Sequence, residues 1–214
     1  MPFTIIFLGK AGSGKGTQAH LLEKKLGAKI IGTGDLLRAF TKLDIPAARK
    51  LDREVLRIGK LAPSWFVSYL WIYEVMHTDP SAHIIFDGSP RMLSEALLIN
   101  EVLEWVGRIS PKVFLLDISD DEARKRLASR RVCAQCKKIY MGDAPEVKSG
   151  TCACGGKLVK RHDDETEAIE SRLSYYRGEV IPTINQYQEK KWLLRINGEQ
   201  APEKVHEDIV ARLS

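Results

Sequence analysis

A chain of 214 residues, 44% hydrophobic and 29% charged, has the composition of a globular protein with one large core, and it excludes a disordered or low-complexity polypeptide. Its formal charge of +5 suits polyanionic small molecules as well as nucleic acid and does not choose between them. No apolar run approaches a membrane span and the first residues lack a signal-peptide pattern, so the expected setting is the cytoplasm with no membrane partner.

In chain order, the apolar run Thr4-Ile5-Ile6-Phe7-Leu8 predicts a buried strand over Phe3–Leu8. Gly9 to Thr17 then reads GKAGSGKGT. A helix follows over Lys15–Leu26, with Ala19, Leu22 and Leu26 on one face and Gly27 as its stop. A buried strand, a glycine loop and a helix together grip the phosphates of a nucleotide. Glycines let successive backbone N–H groups converge, the helix aims its positive end at the same point, and Lys15 adds a full charge. The phosphate ligands expected are Gly12, Ser13, Gly14, Lys15, Gly16 and Thr17.

Further strands are predicted over Ala28–Ile31, His83–Phe86, Val113–Leu116 and Trp192–Ile196. Helical patterns lie between and around them at Thr33–Thr41, Ile45–Ile58, Ser64–Met76, Met92–Trp105, Asp120–Ser129, Glu165–Lys190 and Pro202–Leu213. This alternation predicts an α/β fold, a parallel sheet covered by helices on both faces. Two segments break the rhythm: Gly32–Ala62 holds only helices, and Arg131–Asp163 interrupts the helical pattern with several glycines. Both read as small modules inserted into the main domain.

All four cysteines fall in the second insert, as Cys133-Ala-Gln-Cys136, then fifteen residues, then Cys152-Ala-Cys154. Two close pairs can present four thiolates tetrahedrally to a structural zinc; free or redox-active thiols and another metal are the alternatives.

Arginines form the second constellation: Arg38, Arg91, Arg126, Arg130, Arg131, Arg161 and Arg172. Planar guanidinium groups suit the charge that develops on equatorial oxygens in phosphoryl transfer, although any single one can be a solvated surface residue. Arg91 lies in Asp87-Gly88-Ser89-Pro90-Arg91, just past the third strand, at the sheet edge where ligands bind. Asp87 there either orients a magnesium ion through water or serves as a turn or capping carboxylate. Asp163-Asp164 beside arginines reads as a pair that orients them.

Taken together these motifs resemble the adenylate kinase family in its long-lid, zinc-bearing form, over essentially the whole chain. GKAGSGKGT is similar to the family's phosphate loop, and Thr33-Gly34-Asp35-Leu36-Leu37-Arg38 to its monophosphate-site signature. Gly59-Lys60-Leu61-Ala62-Pro63 resembles the segment closing over that nucleotide, and Asp87-Gly88-Ser89-Pro90-Arg91 the family's D-G-F-P-R. Arg126…Arg130-Arg131 and Arg161-His162-Asp163-Asp164…Arg172 resemble the two ends of its lid.

The resemblance implies a three-layer P-loop fold with a five-stranded sheet in the order 2-3-1-4-5. It divides the chain into a core (1–32, 63–130 and 164–214), a helical monophosphate-binding insert (33–62) and a zinc-ribbon-like lid (131–163). The implied reaction is Mg·ATP + AMP ⇌ 2 ADP, catalysed by a monomer with magnesium and a structural zinc and no nucleic-acid partner. Lys15, Arg91, Arg130, Arg161 and Arg172 carry the catalysis. Arg126, Arg130 and Tyr140 join the loop on ATP; Thr33, Arg38, Lys60, Leu61, Ala62, Gly88, Arg91, Glu95, Arg161 and Arg172 hold AMP. Cys133, Cys136, Cys152 and Cys154 hold the zinc, and Asp87 the magnesium through water.

Four positions depart from the family pattern. Ala11 replaces a loop proline, Ser89 replaces the aromatic of D-G-F-P-R, and the second cysteine pair is one residue short. Glu95 stands where the family places the glutamine that reads adenine. An ionised carboxylate accepts from N6–H₂ but has no proton for N1. Either Glu95 meets the base and weakens AMP binding, or it faces solvent and Ser94 or a neighbour reads the base. The rival functions are a UMP/CMP kinase, whose lid is typically short, and a non-catalytic nucleotide-binding zinc protein, which has no need of this arginine set.

Overall fold

The parallel sheet follows from strands that are apolar on both sides. The computed structural model describes residues 2–142 and 144–213. Its first half runs β1 (Thr4–Leu8), α1 (Lys15–Leu26), β2 (Lys29–Gly32), α2 (Thr33–Phe40), α3 (Pro46–Leu51), a π-helical turn (Asp52–Leu56), α4 (Ser64–Met76), β3 (Ile84–Asp87), α5 (Leu93–Trp105) and β4 (Lys112–Asp117). Then come α6 (Asp120–Ser129), β5 (Arg131–Cys133), β6 (Ile139–Tyr140), α7 (Pro145–Ser149), β7 (Leu158–Val159) and a 3₁₀ turn (His162–Asp164). The chain closes with α8 (Thr166–Tyr175), a second π-helical turn (Tyr176–Val180), α9 (Ile181–Glu189), β8 (Leu193–Asn197) and α10 (Pro202–Val210).

Alternate residues of each strand feed separate cores. Ile6, Leu8, Phe86, Val113 and Leu115 pack against Trp71, Ile99, Ile184 and Tyr187 of α4, α5 and α9. Ile5, Phe7, Ile85, Phe114 and Leu116 face Ala19, Leu22, Val205 and Ile209 of α1 and α10. This two-sided burial is why the strands show no polar alternation.

The main sheet is parallel, in the order β2-β3-β1-β4-β8. The expected order 2-3-1-4-5 counted five strands in the chain, whereas the far edge is filled by β8 because three short strands intervene. Those three form a separate antiparallel sheet, β6-β5-β7, within the cysteine-bearing segment. Strands of two or three residues show no period and are not readable from sequence.

α1, α4 and α6 fall on their predicted bounds. The continuous helices expected at Ile45–Ile58 and Glu165–Lys190 are each interrupted by a π-helical turn. In the second, Pro182 has no N–H to continue the ladder, and the Ile181 N–H reaches back to the Tyr176 carbonyl. Because the large sheet is parallel, the C-terminal ends of β1, β2, β3 and β4 share one edge, and Gly9, Thr33, Gly88 and Ile118 leave from it. Among the described residues no helix is long and apolar enough to cross a membrane.

Candidate functional site

The loop after β1 has its shape because two positions accept only glycine. Gly9 has φ +138°, and a Cβ there would lie 2.4 Å from the Leu116 carbonyl oxygen. Gly14, at φ +96°, opens α1 with no side-chain cap, which leaves the first N–H groups of the helix facing the loop. Lys15 Nζ folds across that loop to the Gly9 and Lys10 carbonyls, at 2.8 and 2.7 Å. Burial pushes the Lys15 ammonium down to about 7; Asp87 opposes the shift, and Arg91, Arg172 and Arg130 add to it. A polyphosphate beside it would reverse that effect.

Asp87 ends β3 and reaches the start of α1, where a Cβ on Gly16 would come within 3.1 Å of its Oδ2. Among the described residues nothing hydrogen-bonds to its carboxylate, so the capping or turn role is not realised. A free carboxylate next to a phosphate loop fits a hydrated magnesium ion.

One cavity opens over the C-terminal edge of the sheet and is lined by Lys15, Arg91, Arg130, Arg161 and Arg172, together with Gly12, Gly14, Gly16 and Thr17. Ser13 is buried beneath the loop. A second, adjoining cavity is lined by Thr33, Arg38, Lys60, Leu61 and Ala62 on one side and Gly88, Arg91, Glu95 and Arg172 on the other. Arg161 belongs to the first cavity alone, and Arg38, Gly88, Arg91 and Arg172 border both.

Carboxylates hold these cations in place. Arg130 Nε donates to Asp164 Oδ2 at 2.7 Å and its Nη2 to Oδ1, a forked pair in which both residues are buried. Arg172 Nη1 donates to the Asp163 carbonyl and carboxylate at 3.0 and 3.2 Å. Burial would raise the Asp163 carboxyl, but Arg172, Arg130 and Arg161 outweigh it and hold the group below the usual range. Arg38 Nη2 donates to Asp35 at 2.7 Å. Arg161 has no such partner among the described residues. Burial, with Arg130 and Arg38 nearby, pushes its guanidinium down to about 10.

Glu95 is 2% exposed while Ser94 is exposed, so the solvent-facing alternative for Glu95 is not the one realised. Glu95 Oε2 accepts the Arg91 backbone N–H at 2.7 Å. Thr33 Oγ1 donates to Ser89 Oγ at 2.8 Å, and the Ser89 hydroxyl in turn supports the Glu95 carboxylate. Burial nevertheless raises the Glu95 pKa. Ser89 and Glu95, unrelated in the sequence, are therefore members of one hydrogen-bonded group behind the second cavity.

One expectation needs correction, that of Tyr140 on ATP. Tyr140 does not line the donor cavity: its side chain is buried, with the hydroxyl 3.2 Å from Cys152 Sγ, and accepts the Ala153 N–H at 3.3 Å. Strand alternation sends its neighbours Ile139 and Met141 to the cavity instead. Arg126 also lies outside that cavity, pinned to Glu122 at 2.6 Å, with Nη1 3.5 Å from the Gly12 carbonyl.

The four cysteine Sγ atoms lie within 4.8 Å of one another, with contacts of 3.5, 3.5 and 3.4 Å between Cys133 and Cys154, Cys136 and Cys152, and Cys152 and Cys154. Four thiolates around an ion at about 2.3 Å stand about 3.8 Å apart, so the short C-x-C pair still fits a tetrahedral centre. The thiols form no disulfide.

Sequence reasoning missed Tyr175, which ends α8 and lines both cavities. Its one signal is a spacing of three from Arg172 on a helix, which puts both on one face.

The family model for adenylate kinase matches residues 7–192. The chain is 37% identical over 211 residues to an adenylate kinase of Geobacter sp. (strain M21), covering 98% of each chain. It is 36% identical to one from Citrifermentans bemidjiense over 98% of both chains. A third, from Thermosipho melanesiensis, is 31% identical over 96% of this chain and 97% of its own.

Proposed function

We infer the division of labour within the site from one premise: the chain belongs to the adenylate kinase family. It is a nucleoside monophosphate kinase that transfers a phosphoryl group reversibly, Mg·ATP + AMP ⇌ 2 ADP. Gly12, Ser13, Gly14, Lys15, Gly16 and Thr17 hold the ATP phosphates, with Asp87 placing magnesium through water. Arg126 covers the ATP adenine from beside Gly12. Thr33, Lys60, Leu61, Ala62, Gly88 and Glu95 form the AMP pocket, and Arg38 and Arg91 take its phosphate. Arg130, Arg161 and Arg172 stabilise the phosphoryl group in flight.

The observation that carries this reading is the meeting of two cavities at Arg38, Gly88, Arg91 and Arg172, which supplies two nucleotide sites with their cations at the junction. Transfer between phosphates needs no general base, because the acceptor oxygen is already anionic. Alignment and charge stabilisation suffice. Residues 33–62 and 131–163 act as flaps over a core of 1–32, 63–130 and 164–214, keeping water from the phosphoryl group. ADP formation with AMP, CMP, UMP and GMP as acceptors tests the assignment. AMP is expected to be the best, and equal or better turnover of CMP or UMP overturns it.

The cysteine cluster holds a structural zinc, supported by its four-thiolate donor set and spacing. Four thiolates leave no position for water or substrate, so the ion staples the lid and performs no chemistry. Metal analysis of the purified chain is expected to find stoichiometric zinc. Cys152→Ser should lose the ion and lower the unfolding midpoint. A metal-free chain whose unfolding midpoint is insensitive to added zinc overturns this reading.

A further inference from the structure

Tyr175 stands where the donor and acceptor cavities meet, and none of the motifs above contains it. It ends α8, three residues after Arg172, immediately before the π-helical turn at Tyr176–Val180. Its ring packs on the larger core, which leaves the hydroxyl as the polar tip in the site. Arg91 Nη1 donates to that oxygen at 2.8 Å, with the guanidinium carbon 5.7 Å from the ring centroid. Arg172 is also a neighbour. Burial lowers the pKa of that guanidinium, but Asp163 and Asp164 beside it and its hydrogen bond to the Tyr175 oxygen outweigh the burial and raise it.

The hydrogen-bond inventory then decides what the hydroxyl can do. Arginine only donates, whereas a tyrosine hydroxyl accepts and also donates one proton. With Arg91 filling an acceptor position, the Tyr175 proton remains to be donated, and among the described residues no atom accepts it. Around it stand cations, so the acceptor that fits is an anionic oxygen brought in by substrate.

We propose that Tyr175 is a phosphate-contacting residue, whose hydroxyl accepts from Arg91 and donates to the phosphate oxygens at the junction of the two nucleotides. The proposal rests on the assignment of that junction to phosphates. It adds a neutral donor to an otherwise cationic cradle and fixes the Arg91 fork before the acceptor arrives.

Tyr175→Phe keeps the ring and removes the hydroxyl. It is expected to lower kcat/KM for AMP by about 10- to 100-fold, the effect of losing a hydrogen bond to a charged group, with the unfolding midpoint unchanged. A folded variant with kcat/KM for AMP within about twofold of native overturns the proposal. Should the variant fail to fold, O-methyltyrosine placed at 175 keeps the oxygen that accepts from Arg91 and removes the proton, and kcat/KM for AMP within about twofold of native then overturns the proposal. If the native chain makes no ADP from ATP and AMP, the functional reading fails, whereas native activity with an indifferent Tyr175 sinks this inference alone.

Discussion

Arg161→Ala is expected to lower kcat by at least ~10²-fold while leaving the unfolding midpoint unchanged or slightly raised. The two halves of this result have different causes. Activity falls because Arg161 stands in the cavity with Lys15, Arg130 and Arg172, where charge develops on the transferring group. Stability does not fall because, among the described residues, none hydrogen-bonds or ion-pairs with this guanidinium. Burial and the charges of Arg130 and Arg38 hold its pKa down at about 10, so the empty fold disfavours its charged form. Deleting the side chain removes that strain. Arg130→Ala is the contrast, since it takes the forked partner from the Asp164 carboxylate, at 1% exposure, and leaves it the longer Arg172 contact at 3.4 Å. It should lose activity and also destabilise by roughly 1–3 kcal/mol. Steady-state kinetics with thermal denaturation on both variants makes the comparison. Native turnover in Arg161→Ala, or a loss of stability matching Arg130→Ala, would refute this account.

This contrast also shows what the sequence could reveal. The strand, loop and helix from Thr4 to Leu26 were legible because each segment carries its own local signal: an unbroken apolar run, glycines with a lysine, then helical spacing with a glycine stop. The arginines were legible as a set through their places in ordered motifs. Their individual states were not, because the pairing of Arg130 with Asp164 and the isolation of Arg161 depend on contacts across the fold.

Tyr140 shows the opposite error. The family resemblance places it on ATP, but on β6 a single step of strand alternation decides between the cavity and the cysteine cluster. Strands this short do not reveal their phase. The link from Thr33 through Ser89 to Glu95 joins residues on three separate segments and has no sequence signature. Seen separately, Ser89 and Glu95 were two departures from a family pattern; in the fold, one hydroxyl supports the other's carboxylate.

That group leads to the second large effect. Glu95 lines the acceptor cavity with one oxygen already committed to the Arg91 N–H. To read adenine as an amide does, it must accept from N6–H₂ and donate to N1, and only the protonated carboxyl can donate. Burial already lifts its pKa above that of an ordinary carboxyl. In the empty site Arg38, Lys60, Arg91 and Arg172 border the same cavity, and only Asp163 and Glu95 bear negative charge there. That cationic field favours the ionised form. An AMP phosphate seated on Arg38 and Arg91 neutralises part of the field, so binding the nucleotide raises the Glu95 pKa further and draws in a proton.

The sign follows. A carboxyl raised in this way is protonated below its shifted pKa and loses the proton as pH rises through it, so KM for AMP should climb with pH over that range. Glu95→Gln carries its donor at every pH. It is expected to lower KM for AMP at neutral pH by about tenfold, the consequence of repairing one mispaired hydrogen bond, and to abolish the climb. KM for AMP measured against pH in both proteins, with KM for ATP as the internal reference, decides the matter. Parallel profiles would mean that the carboxylate never meets N1, and that adenine is read by Thr33 and the backbone around Gly88 instead.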